Sequence, residues 1–259
     1  MKRILTALVL VPVTLYTVLL APWPIFLLMV ALVASLCFIE YAAITQAFAP
    51  LGVVAGLLIL IAPPPETTLI LFLSALAAMC LPLAAESLEK SVARAGALML
   101  GIVYVFGAWK TAVLLHDLNT PRPESGRYWL LFGLVVNWVG DTGAYYVGRK
   151  FGRRKLAPLV SPGKTWEGAI ASIVTAMIFG LIYLPIAIRG ISWPIAGGIA
   201  LLANIAGQLG DLAESAIKRS AGVKDSGKLL PGHGGMLDRV DSSLFSLPVI
   251  YTVVSLLHF

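Results

Sequence analysis

The sequence is poor in charged residues and has almost no cysteine. Asp, Glu, Lys and Arg make up 12% of its 259 residues, whereas hydrophobic residues make up 59%. A soluble domain has about 25% charged residues, so a water-soluble globular fold is excluded. Disorder is excluded as well, because it requires low hydrophobicity. The two cysteines, Cys37 and Cys80, are too few for a disulfide scaffold and lie in apolar runs, which predicts free, buried thiols.

The sequence instead contains long apolar segments. A spanning helix needs about 20 mostly apolar residues. The candidate spans are residues 4–20, 25–45, 51–62, 69–83, 96–115, 128–147, 169–188, 193–212 and 244–259. The third and fourth are short and are divided by three prolines at 63–65, so a single bent or re-entrant hairpin is the alternative there. The sequence therefore predicts an all-α polytopic membrane protein with about nine transmembrane helices.

The basic residues predict how these spans are oriented. Most of the 19 Lys and Arg residues fall in alternate loops, and cytoplasmic loops carry an excess of Lys and Arg. The N-terminus is therefore expected inside and the C-terminus outside. The basic start of the chain resembles a signal peptide, but it lacks a small-residue cleavage pattern, so an uncleaved first helix is expected. The net charge of +6 then gives no reason to expect a nucleic-acid partner.

Polar residues inside the predicted spans are concentrated in the second half of the chain. In the sixth span, Asn137, Asp141 and Tyr145 recur every four residues and share one helix face. A longer polar face in the eighth span comprises Asn204, Gln208, Asp211, Ser215 and Lys218, with Glu214 one turn from Asp211. An ionised carboxylate at the bilayer centre costs about 2.5–3.5 kcal/mol, so a cation site or a water-filled cavity is expected here. Glu40, in the second span, is isolated and is interpreted as reaching the membrane interface.

This distribution divides the chain into two regions. Residues 1–127 are predicted to be scaffold helices that face lipid or a second copy of the chain. Residues 128–259 are predicted to be the catalytic region, with cytoplasmic loops at 148–167 and 218–240, and the active site is expected in a cavity on the cytoplasmic side.

The loop at 218–240 mixes acids, bases and glycines. Asp238 and Asp241 are three residues apart, so they lie on one face if the last helix begins near Gly235, and they could share a hard cation. Phosphoryl and nucleotidyl transfer needs such a mixture, because carboxylates hold Mg²⁺ while cations and glycine N–H groups bind phosphate. His233, between two glycines, is a candidate hydrogen-bond donor to phosphate or a candidate proton carrier, and the alternative is that it only caps the loop.

The loop at 148–167 has two parts. Its basic cluster is explained by orientation and by attraction to anionic lipid. The segment 161–165, Ser-Pro-Gly-Lys-Thr, joins a lysine to two hydroxyls just before a helix start. It fits a phosphate cradle, although it is not the Walker pattern.

At these residues the sequence resembles the phosphatidate cytidylyltransferase family, also called the CDP-diacylglycerol synthases. The resemblance is carried by Ser215, Lys218, Arg219, Lys224, Asp225, Pro231, His233, Gly234, Gly235, Asp238, Arg239 and Asp241. The upstream segment 141–167 also resembles a block of that family, whereas the first half is similar only in hydrophobicity and helix count. The short length resembles bacterial members, which implies a bacterial plasma (inner) membrane location with the active site facing the cytoplasm.

The resemblance implies transfer of CMP from CTP to phosphatidic acid, giving CDP-diacylglycerol and pyrophosphate, with Mg²⁺ as cofactor and a second metal ion left open. The expected metal ligands are Asp211, Asp238 and Asp241, with Glu214 and Asp225 as second choices. The expected catalytic cations are Lys218, Arg219, Lys224 and Arg239. Further substrate contacts are expected from Asp141, Ser161, Lys164, Thr165, Ser215, His233, Gly234 and Gly235.

Two other functions remain as alternatives. A CTP-dependent lipid kinase would move the γ-phosphate to an alcohol. A cation-coupled transporter would use the intramembrane acids as relay sites, but the inverted repeats typical of such transporters are not visible in the sequence. Besides the two substrates and the bilayer, a second copy of the chain is a reasonable partner, because the plain N-terminal helices could form a homodimer.

Overall fold

The computed structural model describes residues 2–84, 90–118, 125–230, 232 and 234–257. Its helices are α1 (Lys2–Leu19), α2 (Trp23–Thr45), α3 (Ala49–Ile61), α4 (Pro64–Cys80), α5 (Ser91–Gly101), α6 (Ala108–His116), α7 (Ser125–Phe151), α8 (Trp166–Ala187), α9 (Trp193–Ser220) and α10 (Leu237–Leu256). A 3₁₀ turn, Leu81–Ala84, follows α4, and a π-helical segment, Ile102–Gly107, joins α5 to α6. Two short strands, β1 (Lys155–Ala157) and β2 (Ser161–Thr165), form an antiparallel hairpin.

The helices correspond to the predicted spans. Over the described ranges, each predicted span overlaps one helix, if α5, the π segment and α6 are counted as one continuous rod. Within the described part of the chain, four helical segments are long and apolar enough to cross a membrane: Trp23–Thr45, Ser91–His116, Trp166–Ala187 and Trp193–Ser220. The chain is therefore a helical integral membrane protein, as predicted, while the number of nine crossings stays a prediction.

The prolines divide the third and fourth predicted spans as expected. Helix α3 ends at Ile61 and α4 begins at Pro64, where a missing N–H costs nothing because first-turn donors lack helical partners. At 1.5 Å per residue, α3 and α4 extend about 20 and 26 Å, which is less than the roughly 30 Å of hydrocarbon in a bilayer.

The segment 148–167 is more ordered than the predicted loop. Helix α7 continues to Phe151, and the β-hairpin occupies most of the remainder. The Glu167 carboxylate accepts the backbone N–H groups of Arg153 and Arg154 at 3.1 and 3.3 Å, which joins the hairpin to the start of α8. The sequence did not indicate the hairpin within this loop, because a short basic strand pair carries no apolar alternation to reveal it.

The second predicted loop is shorter than expected. Helix α9 continues to Ser220 and α10 begins at Leu237, so 221–236 connect them. The start of α10 agrees with the prediction that coiling begins near Gly235.

Helices α7 to α10 pack closely through glycine and buried amides. A Cβ on Gly140 would overlap Asn204, and one on Gly207 would overlap Asn137. Asn137 Nδ2 donates to Ser246 Oγ at 2.9 Å, joining α7 to α10. Asn137 thus makes an interhelical hydrogen bond, an interaction that membrane helices use in place of a hydrophobic driving force.

The first half of the chain packs through aromatic rings and shares one core with the second. Phe38 and Phe106 lie 5.4 Å apart by ring centroid, and α10 contacts both α2 and α6. Both cysteines are free, as predicted. Cys37 is buried, but Cys80 is exposed on the protein surface, so its predicted burial is wrong.

Candidate active site

A buried lysine lies between two acids at the end of α9. Lys218 Nζ donates to Asp238 Oδ1 at 2.6 Å and forms an ion pair with Glu214 Oε2, one helical turn earlier. Glu214 is 1% exposed and Lys218 is 8% exposed. Since a buried charge without a partner is strongly destabilising, the acids and the lysine require one another.

Asp238, in the first turn of α10 and ahead of the predicted last span, organises the preceding loop. Its carboxylate also accepts the backbone N–H groups of Ser226 at 2.9 Å and Gly235 at 2.8 Å. Burial acts to raise the pKa of Asp238, but the hydrogen bonds from Lys218 and from these two N–H groups outweigh burial and hold the pKa below its ordinary value. The turn passes through Gly234 at a φ of +85°, which glycine adopts without strain.

Glu40 holds the same loop from the first half of the chain. It lies on α2 and accepts the backbone N–H groups of Met236 at 3.0 Å and Leu237 at 2.9 Å, as well as the Ser226 hydroxyl at 3.1 Å. The interpretation of Glu40 as an acid that simply reaches the interface is therefore wrong. The signal was present in the sequence, because a carboxylate inside an apolar span needs a partner.

A second acid and lysine meet beside the hairpin. Lys164 Nζ, from β2, lies 2.7 Å from Asp211 Oδ2 on α9, and Ser215 Oγ donates to Asp211 Oδ1 at 3.3 Å. Lys164 lines a cleft of about 570 Å³ together with Asp141 and Gln208. The structure thus brings Asp141, Lys164 and Asp211, which lie far apart in the sequence, to one place.

Asp141 also lines a second, mostly apolar cavity of about 410 Å³. Side chains of α1 and α2 form much of its wall, including Val13 and Leu36. Its polar part comprises Asp141, Asp238, Arg239 and Asp241 among others. Asp241 Oδ1 accepts the N–H of Ser242 at 2.6 Å. Asp141 therefore lines both the apolar cavity and the cleft beside the hairpin.

Two other predicted site residues, Arg219 and Thr165, form hydrogen bonds with the backbone. Arg219 donates to the carbonyl oxygens of Val160 at 3.3 Å and Val223 at 3.1 Å, which ties the hairpin to the end of α9. Thr165 Oγ1 accepts the N–H of Gly168 at 3.2 Å and caps α8. Lys224 and Asp225 are exposed, and Ser161 is half-buried in β2. Pro231 and His233 lie outside the described residues.

The acids of the site are ligands of the kind that Mg²⁺ binds, but lysines contact two of them in this structure. Carboxylate oxygens are the ligands that Mg²⁺ prefers, and Glu214 Oε1 is buried with no hydrogen-bond partner in the described part of the chain. However, lysines engage Asp211 and Asp238. Within those same residues, no group of three or more His, Cys, Asp or Glu side chains is arranged to hold a metal ion. Metal binding would require the lysines to release these acids.

Comparison with known proteins identifies the family. The chain is similar to proteins named phosphatidate cytidylyltransferase from three bacteria. Identity is 40% over 161 residues with the Bacillus subtilis protein, covering 62% of this chain and 58% of the relative. It is 45% over 135 residues with the Haemophilus influenzae protein (50% and 46% covered) and 44% over 127 residues with that of Staphylococcus aureus (49% and 49% covered). The matches thus span about half the length of these curated relatives. A model of the cytidylyltransferase family matches residues 1–257, and the chain belongs to that family.

Proposed function

We propose that this membrane protein transfers CMP from CTP to phosphatidic acid, giving CDP-diacylglycerol and pyrophosphate. The observation that carries the proposal is the position of Asp141, which lines both the cleft that holds Lys164 and the apolar cavity that holds Arg239 and Asp241. A reaction between a water-soluble nucleotide and a lipid needs two such spaces that meet at charged groups. Relatives at 40–45% identity are named for this activity.

The reaction is an in-line displacement at phosphorus. A phosphate oxygen of the lipid bonds to the α-phosphorus of CTP, and the bond to pyrophosphate breaks. Because the attacking oxygen is already anionic at neutral pH, no strong general base is required, and positioning with charge neutralisation supplies the acceleration.

The cations of the two spaces suit the two substrates. Lys164 lines the cleft beside the hairpin and would bind the triphosphate after leaving Asp211. Arg239 lines the apolar cavity and would bind the lipid phosphate, with the acyl chains among the side chains of α1 and α2. Lys218, between Glu214 and Asp238, and the exposed Lys224 would add positive charge at the reacting phosphates. Arg219 supports the site by holding the hairpin.

The acids would hold Mg²⁺ once the lysines turn to phosphate. Asp211, Asp238 and Asp241 are the proposed ligands, with Glu214 Oε1 as a further donor and the exposed Asp225 as a second choice; one or two ions are compatible with this set. When bound, Mg²⁺ would neutralise phosphate charge and polarise the phosphoryl group under attack.

The activity is tested by incubating the purified protein in detergent with Mg²⁺, phosphatidic acid and CTP labelled at the α-phosphate. We expect label in a chloroform-soluble product and an equal amount of pyrophosphate. Label that stays in water as CDP while the lipid gains phosphate would indicate a lipid kinase. Failure of both, with Mg²⁺-dependent ion flux in vesicles, would indicate a transporter.

We also propose nine crossings of a bacterial plasma membrane, with the N-terminus and the active site on the cytoplasmic side. The alternation of basic loops supports this orientation. In a Cys80→Ser background, Lys155→Cys should react with a membrane-impermeant maleimide only from the cytoplasmic side, and Arg189→Cys only from the outside. A homodimer formed through the N-terminal helices stays a prediction, which native mass spectrometry would test.

A further inference from the structure

We infer that Glu40 is a positioning residue, which fixes the loop before α10 so that Asp238 faces Lys218. The inference rests on the proposed function, because it assigns Glu40 a role in that reaction. It concerns a residue of the region expected to be scaffold, nearly two hundred positions from the loop it contacts.

The Glu40 carboxylate accepts three hydrogen bonds from the described residues. Glu40 Oε1 accepts the N–H of Met236, and Oε2 accepts both the N–H of Leu237 and the hydroxyl of Ser226. Met236 and Leu237 begin α10, where N–H groups have no partner inside the helix and a negative charge is favoured. Hydrogen bonds to an ionised acceptor are about twice as strong as neutral ones, so Glu40 defines where α10 begins.

Ser226 links Glu40 to Asp238. Ser226 is buried and bonds to both acids, since its hydroxyl donates to Glu40 and its N–H donates to Asp238. The N–H of Asp238 in turn donates to Ser226 Oγ at 3.3 Å. Glu40 and Asp238 are therefore joined through one residue, and a change at Glu40 displaces the atoms that orient the Asp238 carboxylate.

Two glycines of the loop, Gly227 and Gly235, leave space for the Glu40 carboxylate. A Cβ added to Gly227 would overlap Glu40 Oε1, and one added to Gly235 would overlap both Glu40 Oε2 and Ser226 Oγ. The loop thus lacks side chains at the two points where the carboxylate enters. Glu40 lines neither the cleft nor the apolar cavity that Asp141 lines, and its hydrogen bonds reach Asp238 through Ser226, so its role is to position Asp238.

The test compares the wild type with Glu40→Gln and Glu40→Asp. Glutamine keeps the shape but loses the charge and one acceptor oxygen. We expect kcat to fall about 10–100-fold, the range typical of residues that orient a reactive group, with KM for CTP unchanged. Glu40→Asp keeps the charge and should recover part of kcat. Glu66→Gln is the matched control, since Glu66 is an exposed glutamate of the same region in the first turn of α4, and its kcat should equal that of the wild type.

A second readout does not depend on activity. Lys224 and Lys228 are exposed in the loop, so trypsin cleavage there reports whether the loop is held. Cleavage should be faster in Glu40→Gln than in the wild type, with the rest of the chain equally resistant. If Glu40→Gln does not fold, Ser226→Ala provides the test, because it removes only the bridging hydroxyl and should lower kcat with KM for CTP unchanged.

The outcomes separate the inference from the proposed function. A wild type that makes no lipid product overturns the proposed function, whereas the trypsin comparison still tests the contact. An active wild type with full kcat and unchanged cleavage in Glu40→Gln overturns the inference. A rise in KM for CTP at constant kcat also overturns it, because Glu40 would then act in binding.

Discussion

Among the residues whose burial is described, each half of the chain buries one lysine, and the two lysines have different partners. Lys110, in the first half, and Lys218, in the second, are both 8% exposed. Lys110 Nζ donates to the backbone carbonyl oxygens of Leu60 at 3.0 Å and Ala62 at 2.6 Å, at the end of α3. Lys218 Nζ lies between the carboxylates of Glu214 and Asp238.

The difference indicates which buried charge can take part in chemistry. The last carbonyl groups of a helix have no helical partner, so Lys110 completes the hydrogen bonding of a helix end next to a proline break. Lys218 is held by two carboxylates, which could bind a metal ion instead. A substrate phosphate could therefore compete with these carboxylates for Lys218. Burial of a lysine is common to both regions, and only the nature of its partners distinguishes a structural contact from a reactive site.

The largest expected effect is at Asp241. Replacing it by Asn removes a carboxylate that lines the apolar cavity. Turnover should fall by about 10³-fold, as for loss of a charge-stabilising group. Since Asp241 Oδ1 accepts hydrogen bonds from Ser242 alone among the described residues, the unfolding temperature should change little. Asp117→Asn, at the end of α6 in the other region, should keep full turnover. Activity of Asp241→Asn within tenfold of the wild type would contradict its assignment.

The comparison of the two lysines can be tested directly by replacing each with Met. Lys218→Met should lower turnover about 10²-fold and destabilise the fold by about 3–5 kcal/mol, because two acids lose their buried partner. Lys110→Met should destabilise by about 1–3 kcal/mol, the cost of unsatisfied carbonyl groups, with turnover of the folded fraction unchanged. Thermal unfolding in detergent and initial rates measure both quantities. A loss of turnover in Lys110→Met would remove the distinction.

A smaller effect is expected at Lys164. Lys164→Ala should raise KM for CTP about tenfold, equivalent to about 1.4 kcal/mol of binding energy, because the cleft loses its lysine while Asp211 loses its partner. Lys155→Ala, in the paired strand of the same hairpin, is the control and should leave KM unchanged. Equal effects of the two variants would indicate general electrostatic attraction instead of a specific contact.

The smallest effects are expected at two tyrosines. Tyr41 donates to the carbonyl of Ala97 at 2.9 Å in the first half, and Tyr183 donates to that of Tyr128 at 3.0 Å in the second. Each Tyr→Phe change should cost about 1 kcal/mol of stability and leave turnover unaltered. A change in kcat in either variant would show that the region around it is coupled to the site.

The sequence predicted the helices well because each has a long apolar run and because prolines mark the break between α3 and α4. It also indicated the charged groups of α9 and α10, since acids inside apolar spans are costly and their spacing places them on one face. It did not indicate that Asn204 and Gln208 serve helix packing. Gln208 Nε2 donates to Asn204 Oδ1 at 2.8 Å within α9 and to the Ala169 carbonyl on α8 at 3.2 Å, and the second contact depends on how α8 and α9 approach.

The sequence indicated that Glu40 needs a partner, but it did not identify the partners of Glu40 or Arg219. Glu40 bonds to a loop that follows it by 186 residues or more, and Arg219 bonds to a carbonyl 59 residues earlier. Sequence spacing predicts neighbours only within one helix or strand, because beyond that distance the packing of whole elements decides which side chains meet.

The sequence by itself determined a helical membrane protein of the cytidylyltransferase family with its charged groups gathered in the second half, because hydrophobicity and short-range spacing are local properties. Only the tertiary structure decided which acid pairs with which lysine, that Asp141 joins two cavities, and that α2 supports the loop before α10. These features depend on contacts between distant elements, in which desolvated charges accept whatever partners the packing of the helices brings within hydrogen-bond distance.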